Sequence, residues 1–362
     1  MAAKRVKLLD VAKAAGVSQG TASNAFGKPD LVRKEVRDRI FAAAKELGYR
    51  GPHVMARMLR TGKAGALGVV FPDNLEYAFS DPVAIELLRG IGRECARHGV
   101  NVMIISAENP QQAIAAVNNA AVDAFLVHCY SDDNDIISAI QRRNQPLISI
   151  DTDIAGAAGA VLLNDHAAAK TAATHLLECG ARKFAILSLQ ATEHDHFGPM
   201  NANRVGAASH RVVRERMAGY HDALQMAGIS PTDIMHIECD NQSDHSAKMT
   251  VDLLTQHPEI DGILAMSDVI AIGALDGARA AGRKVPNDLK VIGIDGIVAG
   301  ERTDPPLSSV RQDSVEKGRL AAEMALGDDT ARTITLETGL LVRGSTKIGQ
   351  VFGALRRKIK VR

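Results

Sequence analysis

The sequence lacks the features of several large classes of protein. It contains no tryptophan, and aromatic residues make up only 3% of its 362 residues. No apolar run approaches the roughly 18 residues of a membrane-spanning helix, and the start of the chain lacks the apolar core of a signal peptide. The four cysteines are dispersed, without the paired spacing of disulfides or zinc sites. These absences predict a soluble, cytoplasmic protein without a metal site.

The motifs of common enzymes are also missing. There is no phosphate-binding loop, dinucleotide fingerprint, nucleophile elbow or zinc-protease motif. The polar cluster EHDH (193–196) lies in a polar, glycine-containing loop. The cluster SDDNDI (131–136) lacks the glycine and glutamate of a calcium loop. We therefore predict that the protein is not an enzyme and has no cofactor.

Charge is distributed unevenly along the chain. The formal net charge is only +1, but residues 1–63 contain 14 Lys and Arg against 5 Asp and Glu, a net charge of +9. The rest of the chain has a net charge of −8. A small basic region on an acidic body is typical of nucleic-acid binding, because basic side chains displace the cations that surround phosphates. A merely solvated basic surface is the alternative interpretation.

The basic region has the pattern of a helix, a tight turn and a second helix. Residues 8–16 predict a first helix with an apolar face formed by Leu9, Ala12 and Ala15. Gly16 can adopt the positive φ that ends a helix, and Ser18 can cap a second helix that runs to about residue 26. This is the pattern of the helix-turn-helix motif, whose second helix lies in the major groove of DNA.

The second helix has an inner and an outer face. Val17 and Ala22 are expected to pack inward. The outer face consists of short or polar residues that can approach base edges, namely Gln19, Gly20, Ser23 and Asn24. A third helix is predicted over about 33–47, with its inward-facing residues at Val36, Ile40, Ala43 or Ala44, and Leu47. An ordinary three-helix bundle is the alternative, but the local positive charge favours DNA binding.

After residue 65, apolar runs alternate with helical patterns. The predicted strands are ALGVVF, NVMIIS, AFLVHC, PLISID, KFAILS, IMHIEC, GILAMS and LKVIGID. The predicted helices lie near 82–98, 109–120, 134–143, 166–180, 211–227, 243–256 and 268–281. Apolar strands separated by amphipathic helices indicate an α/β fold of two doubly wound parallel sheets. A ligand cleft is expected at the carboxyl ends of the strands.

The chain resembles the LacI/GalR (lactose repressor) family of transcriptional regulators. The most specific matches are LLDVAKAAGVSQGTASNAF and AAAKELGYRGPHVMARMLRTGKAGALGVV, and the similarity continues in RERMAGYHDAL, VIGID and PPLSSVRQD. The resemblance implies a helix-turn-helix domain (1–50), a hinge helix or linker (51–65) and a periplasmic-binding-protein-like core (66–346). A basic tail (347–362) follows.

The resemblance also implies that the core has two lobes and that the chain crosses between them three times. We place the first lobe at about 66–155 and 313–327, and the second at about 156–312 and 328–346. The expected crossings lie near 153–158, 296–312 and 326–331. The core is expected to bind the effector and to form the dimer.

In this family the hinge helix folds on DNA, and apolar side chains from two subunits enter the minor groove. Leu59 is the matching residue, with Ala56 and His53 nearby. A linker that packs on the core is the alternative. The full set of predicted DNA contacts is Leu8, Ser18, Gln19, Gly20, Thr21, Ser23, Asn24, His53, Ala56 and Leu59. Because Asn24 replaces a common arginine, we expect adenine where relatives read guanine.

Polar residues at strand ends predict the effector site. Asp151, Ser267 and Asp295 each follow a predicted strand. The resemblance matches Arg216 to the effector-binding arginine of the family, and the two aspartates to its hydroxyl-binding carboxylates. An arginine with carboxylates suits a sugar or sugar derivative, because carboxylates accept hydrogen bonds from hydroxyl groups. Each of these residues alone could be an ordinary polar residue of a strand end.

The sequence thus predicts a cytoplasmic, homodimeric regulator that binds double-stranded operator DNA, most simply a repressor, and responds to a sugar-like effector. A dimer is expected because one helix reads only a few base pairs. Two alternatives remain open. One is control by a protein partner or a non-sugar metabolite, and the other is an enzyme that acts on a small polyol.

Overall fold

The structure is a computed structural model that describes residues 6–51, 58, 62–72, 74–129, 135–192, 196–327 and 331–346. Most of the predicted hinge, most of the two polar clusters and the basic tail lie outside these residues. The chain divides into two compact units, Met1–Ala64 and Gly65–Arg362. We refer to them as the N-terminal unit and the core.

The described residues of the N-terminal unit form three α-helices: α1 (Leu8–Ala14), α2 (Gln19–Gly27) and α3 (Lys34–Glu46). They enclose a small core rich in alanine, with Val11 and Ile40 fully buried. Gly16 has the predicted positive φ, at +63°. The predictions for Leu9 and Leu47 are wrong, because both side chains are exposed. The buried face of α1 follows the helical spacing of residues 8, 11, 12 and 15 instead.

The core has all of the predicted strands and several additional short ones. In chain order they are β1 (Ala66–Phe71), β2 (Asn101–Ser106), β3 (Ala124–His128), β4 (Leu147–Ile150), β5 (Gly159–Leu163), β6 (Phe184–Ser188), β7 (Gly198–Pro199), β8 (Met235–Glu238), β9 (Gly262–Ala265), β10 (Lys290–Asp295), β11 (Ser308–Arg311), β12 (Thr333–Leu336) and β13 (Gly339–Leu341). Most of these strands are buried on both faces, as expected for parallel strands covered by helices.

The predicted helices of the core are also present. In chain order the helices are α4 (Leu75–Ser80), α5 (Pro82–His98), α6 (Pro110–Asn119), α7 (Asp135–Gln141), α8 (Asp165–Glu178), α9 (Ala202–Gly206), α10 (Arg211–Met226), α11 (Ser243–Gln256), α12 (Asp268–Ala280) and α13 (Ser314–Leu326). The periodicity had not indicated α4, α9 and α13. Among the described helices, none is both long and apolar enough to span a membrane.

The strands form two separate sheets, each of which is the centre of one lobe. The first has the order β12-β5-β4-β3-β1-β2, and the second has the order β13-β11-β10-β9-β6-β8-β7. Neighbouring strands are parallel, except that β13 and β7 pair antiparallel to their neighbours. The α/β fold with two doubly wound parallel sheets is therefore confirmed.

The predicted boundaries of the lobes need correction. Strands β5 and β12 belong to the first sheet, where they pair with each other in parallel, although the sequence prediction had assigned both segments to the second lobe. The chain therefore leaves the first lobe after β5, and it leaves this lobe a second time between β12 and β13. The predicted crossings near 153–158 and 326–331 are wrong, because strand spacing along the chain does not reveal which sheet a short apolar strand joins.

Glycines allow the covering helices to approach closely. A Cβ on Gly90 of α5 would overlap the backbone carbonyl of Val315 on α13, and a Cβ on Gly318 of α13 would overlap the carbonyl of Leu87. The two helices therefore meet nearly backbone to backbone. This contact fixes α13 and its buried Lys317 against the first sheet, where Lys317 reaches the carboxyl end of β4.

Candidate functional site

The start of α2 is fixed by a side-chain cap. Ser18 Oγ accepts a hydrogen bond from the backbone N–H of Thr21 at 3.0 Å and lies 2.9 Å from the Thr21 hydroxyl. Gln19 and Asn24 are both exposed on this helix. The cap satisfies a free N–H group of the first turn. It therefore orders the end of the helix on which Gln19 stands.

The other predicted DNA contacts in the N-terminal unit have mixed environments. Gly20 is exposed, and an added Cβ would meet only Ser18 Oγ, at 3.7 Å. Packing therefore does not require glycine at this position. Thr21 and Ser23 are half-buried, and Leu8 packs partly against the small core of this unit. His53, Ala56 and Leu59 lie outside the described residues.

The core contains a cleft of about 860 Å³ between its two lobes. Segments that follow β1, β3 and β4 form one wall, and segments that follow β6 and β8 form the other. Acidic residues outnumber basic ones along the lining: Glu76, Asp81, Asp151, Asp240 and Asp244 against His128, His210 and Arg211. The cleft therefore disfavours anions.

Asp151 lies at the end of β4 and lines this cleft. Its Oδ2 accepts a hydrogen bond from the Lys317 ammonium at 2.5 Å, and both residues are buried. Burial favours the neutral carboxyl group, but the Lys317 charge outweighs it and holds the pKa of Asp151 well below its usual range. Asp151 Oδ1 is buried and has no hydrogen-bond partner among the described residues. One oxygen of an ionised carboxylate thus remains available to a ligand.

Arg216 on α10 does not line the cleft. Its Nε donates to Asp165 Oδ1 at 2.9 Å, and its Nη1 donates to the backbone carbonyl of Met266. Asp165 also accepts a hydrogen bond from Arg211 at 3.1 Å. These buried contacts join the starts of α8 and α10. Arg211, at the start of α10, is the arginine that lines the cleft.

Ser267 belongs to a polar bridge between the lobes. It caps α12 by accepting from the N–H of Ile270 at 3.1 Å, and its hydroxyl donates to Asn241 Oδ1 at 2.6 Å. Asn241 Nδ2 in turn donates to Asp81 Oδ2 at 3.0 Å. Asp81 is in the first lobe and Asn241 in the second, so this bridge crosses the cleft.

Asp295 lies at the end of β10 and takes part in a second connection between the lobes. Its Oδ1 accepts from Gln312 Nε2 at 2.7 Å, and Gln312 Oε1 accepts from Lys317 at 2.6 Å. Because Lys317 also binds Asp151, two residues, Gln312 and Lys317, connect the two strand-end carboxylates. Burial raises the pKa of Asp295 to about 8, although Arg216 opposes the shift.

His128 and Cys129 complete the cleft wall beside Asp151. His128 Nε2 lies 3.4 Å from Cys129 Sγ and 3.6 Å from Asp151 Oδ2. Burial opposes protonation, but Cys129 and Asp151 outweigh it and raise the pKa of His128 to about 10. His128 Nδ1 is buried without a hydrogen-bond partner among the described residues.

Asp151 is thus the one predicted effector residue among those that line the cleft, and Arg216, Ser267 and Asp295 are not among the lining residues. Six other residues of this region were not among the predicted site residues: Asp81, His128, Cys129, Arg211, Asn241 and Lys317. Two of them, His128 and Cys129, end a predicted strand, which is a signal that could have indicated them. Lys317 had no such signal, because it lies within a helix that was not predicted.

Two family models match the chain. One, described as "Bacterial regulatory proteins, lacI family", matches residues 7–51. The other, described as "Periplasmic binding protein-like domain", matches residues 173–346.

Similar proteins extend this match over most of the chain. An HTH-type transcriptional regulator of Mycolicibacterium smegmatis is 33% identical over 333 residues, which cover 89% of this chain and 90% of that protein. The ribose operon repressor of Halalkalibacterium halodurans is 28% identical over 355 residues, covering 94% and 97%. A solved LacI family regulator from an Arthrobacter species, in complex with lactose, is 28% identical, has a TM-score of 0.62, and is matched over 78% of this chain and 99% of that one.

The chain therefore belongs to the LacI family of bacterial regulatory proteins. It is a DNA-binding transcriptional regulator rather than an enzyme, as the sequence predicts. Its core has the periplasmic-binding-protein-like fold.

Proposed function

We propose that this regulator is a homodimeric repressor whose affinity for operator DNA is controlled by a small neutral sugar or polyol in the core cleft. The observation that carries the proposal is Asp151 Oδ1, a buried carboxylate oxygen at the cleft without a partner among the described residues. A buried acceptor without a hydrogen bond costs about 1–3 kcal/mol, and more when it is charged. A ligand hydroxyl that donates to this oxygen would remove that cost.

The chemistry of the cleft supports a neutral ligand with several hydroxyl groups. Its volume of about 860 Å³ is ample for a small sugar. The excess of acidic residues disfavours sugar phosphates and organic acids, whereas carboxylates accept hydrogen bonds from hydroxyl groups. The relatives support the same ligand class, since one is named a ribose operon repressor and another was solved with lactose.

The two connections between the lobes provide a means of control. Two chains of hydrogen bonds join the first lobe to the second near the cleft. They are Asp81–Asn241–Ser267 and Asp151–Lys317–Gln312–Asp295. A ligand that binds Asp151 competes with or strengthens these contacts, and so changes the angle between the lobes. Rigid-body movement of lobes is a common basis of allosteric control.

In the N-terminal unit, we assign DNA reading to the exposed side chains of α2, chiefly Gln19 and Asn24. Both are amides, which can donate and accept hydrogen bonds on one adenine edge. The bases are read in the cytoplasm, where bacterial DNA lies. One such helix covers only a few base pairs, so specific binding requires two copies of the chain.

An apolar surface on the first lobe is our candidate for the dimer contact. Leu75 and Phe79 of α4 are 45% and 63% exposed, and Val102 and Met103 of the adjacent edge strand β2 are 36% and 39% exposed. We refer to these four residues as the α4–β2 patch. Exposed apolar patches on a soluble protein mark interaction sites, and an edge strand is open to pairing.

The effector site is tested with Asp151→Asn. Losing the carboxylate should weaken effector binding by at least about tenfold, the equivalent of one charged hydrogen bond. Calorimetric titration with a panel of sugars and polyols first identifies a ligand of the wild-type protein. The same titration of the variant, and of its complex with operator DNA, then measures the loss of binding and of response.

Asp276→Asn is the matched control, because the Asp276 side chain is 57% exposed and pairs with Arg279 on α12, away from the residues that line the cleft. It should bind the effector like the wild-type protein. An undiminished affinity in a folded Asp151→Asn variant would remove Asp151 from the site. Binding of sugar phosphates but not of neutral sugars would overturn the proposed ligand class.

A further inference from the structure

We propose that His128, Cys129 and Asp151 form a binding site for a thiophilic divalent cation such as Zn²⁺ in the wall of the cleft. Each of the three residues offers a ligand atom, and these atoms all lie within 4.8 Å of one another. The spacing of residues along the chain predicts no such site, because the ligands come from the ends of two neighbouring strands, β3 and β4.

The distances fit a tetrahedral ion. Zinc–nitrogen and zinc–sulfur bonds of about 2.0–2.3 Å place neighbouring ligand atoms about 3.4–3.6 Å apart. His128 Nε2 lies 3.4 Å from Cys129 Sγ and 3.6 Å from Asp151 Oδ2. The 3.6 Å distance is to Oδ2, which accepts from Lys317, so an ion that binds the neighbouring Oδ1 needs an adjustment of the side chains to contact all three residues.

The donor atoms favour zinc over the harder cations. Thiolate and imidazole bind Zn²⁺ well, whereas Mg²⁺ and Ca²⁺ require oxygen ligands. Binding would release any protons on Cys129 Sγ and His128 Nε2 to solvent, since metal ligands must be deprotonated.

A buried atom without a partner supports the site independently of the distances. Asp151 Oδ1 has no hydrogen-bond partner among the described residues, although the residue is only 5% exposed. Lys317 occupies Oδ2 at 2.5 Å. The cation would therefore bind through Oδ1, while Lys317 fixes the orientation of the carboxylate. Because the ammonium charge repels a cation, we expect weaker binding than at a structural site with four protein ligands.

Three protein ligands leave one coordination position for another molecule. All three residues line the cleft, so that position faces its interior. A bound ion would offer it to a ligand hydroxyl or to water. The ion would take the same oxygen, Asp151 Oδ1, that we assign to an effector hydroxyl, so with the ion bound the hydroxyl would coordinate the ion instead. A metal titration without effector tests the cation site separately.

The test uses the purified full-length protein, freed of metal by a chelator and titrated with Co²⁺. One equivalent of Co²⁺ per chain should produce the near-ultraviolet absorption of a thiolate–cobalt bond. Added Zn²⁺ should displace the cobalt and abolish this absorption. The absorption should be lost in Cys129→Ser. In His128→Gln the affinity for cobalt should fall by at least about tenfold.

Cys179→Ser is the matched control, because Cys179 is also half-buried and its Sγ lies 3.6 Å from a histidine nitrogen, that of His175. It should keep the cobalt absorption. A wild-type protein without the absorption, a Cys129→Ser variant that retains it, or loss in Cys179→Ser would each overturn the site.

A measurement on the wild-type protein covers the case in which the variants do not fold. Zn²⁺ should protect Cys129 from alkylation by iodoacetamide but leave the rate at Cys179 unchanged, as read by mass spectrometry of the labelled peptides. Equal alkylation of Cys129 with and without Zn²⁺ would contradict the proposal.

Discussion

At the scale of single residues, two histidines of the second lobe form a buried pair that resists protonation. His221 Nε2 and His236 Nε2 lie 2.8 Å apart, so one ring must donate and the other must accept. Burial, together with the nearby His221, lowers the pKa of His236 to about 4. Burial also lowers the pKa of His221. The pair is therefore neutral in the folded protein at pH 7.

This pair should make the protein less stable in mild acid. As the pH falls below about 6.5, the unfolded chain binds a proton at His236, whereas the folded chain does not until the pH approaches 4. The stabilisation is thus complete above pH 6.5 and is lost between 6.5 and 4. The protonation of His236 in the unfolded chain should by itself make the free energy of unfolding about 2 kcal/mol lower at pH 5 than at pH 7. Urea denaturation at both values measures the change.

His236→Gln should reduce that loss by about the same amount, since glutamine does not titrate. His257→Gln is the control, because the His257 side chain is 33% exposed and its pair with Glu259 is on the surface. An identical pH dependence in wild-type and His236→Gln proteins would show that the buried pair does not govern acid stability.

At the scale of helices and strands, what could be predicted depends on how local the signal is. Helix α5 matches its predicted range, because Pro82 begins it and Gly99, with a φ of +64°, ends it. The buried strand β1 was equally visible as an apolar run. In contrast, β5 and β12 were missed. Strand β5 pairs with the nearby β4, but β12 joins the first sheet only by pairing with β5, about 170 residues earlier in the chain.

The same distinction between local and distant signals explains which residues of the cleft could be predicted. Asp151 could be predicted because it directly follows an apolar strand. The contacts of Asn241 with Asp81 and of Lys317 with Asp151 join residues 160 and 166 positions apart in the chain. No pattern within either segment indicates such a contact. The resemblance matches Arg216 to an effector-binding arginine, and in the structure its guanidinium donates to the buried Asp165, a contact that no local pattern indicates.

Helix α2 leads to a prediction about DNA sequence. Asn24 is exposed on this helix, and its amide fits the N6 and N7 atoms of adenine. Asn24→Ala should weaken binding to the best operator by roughly 1–3 kcal/mol and relax the preference at one base pair. Selection from randomised DNA, followed by fluorescence anisotropy on the selected sites, measures both effects.

Asn24→Arg is the informative companion, because arginine pairs with the O6 and N7 atoms of guanine. It should restore a strong preference at the same position but for guanine. If both variants select the same sites as the wild-type protein, Asn24 contacts only phosphate or solvent, and base reading lies elsewhere on α2.

At the scale of the whole molecule, charge and apolar surface are divided between the two units. The basic N-terminal unit has the charge needed for DNA, while the acidic core has the cleft and the exposed α4–β2 patch. A single chain presents one α2 helix, but a two-fold dimer presents two. Because linked contacts act at a high effective concentration, the second helix raises affinity without any new type of contact. Dimerisation through the core should therefore control DNA binding by the N-terminal unit.

Phe79→Glu tests this dependence without altering α2. Phe79 is the most exposed residue of the patch, so a charge there should prevent close contact between two copies. We expect sedimentation equilibrium to show monomers, and operator affinity to fall by about 100-fold or more.

Met226→Glu is the control, because Met226 is 78% exposed at the end of α10 in the second lobe and is not part of the patch. It should remain dimeric and bind DNA normally. A Phe79→Glu protein that stays dimeric would exclude the α4–β2 patch as the interface, and a monomer with undiminished operator affinity would contradict the need for two helices.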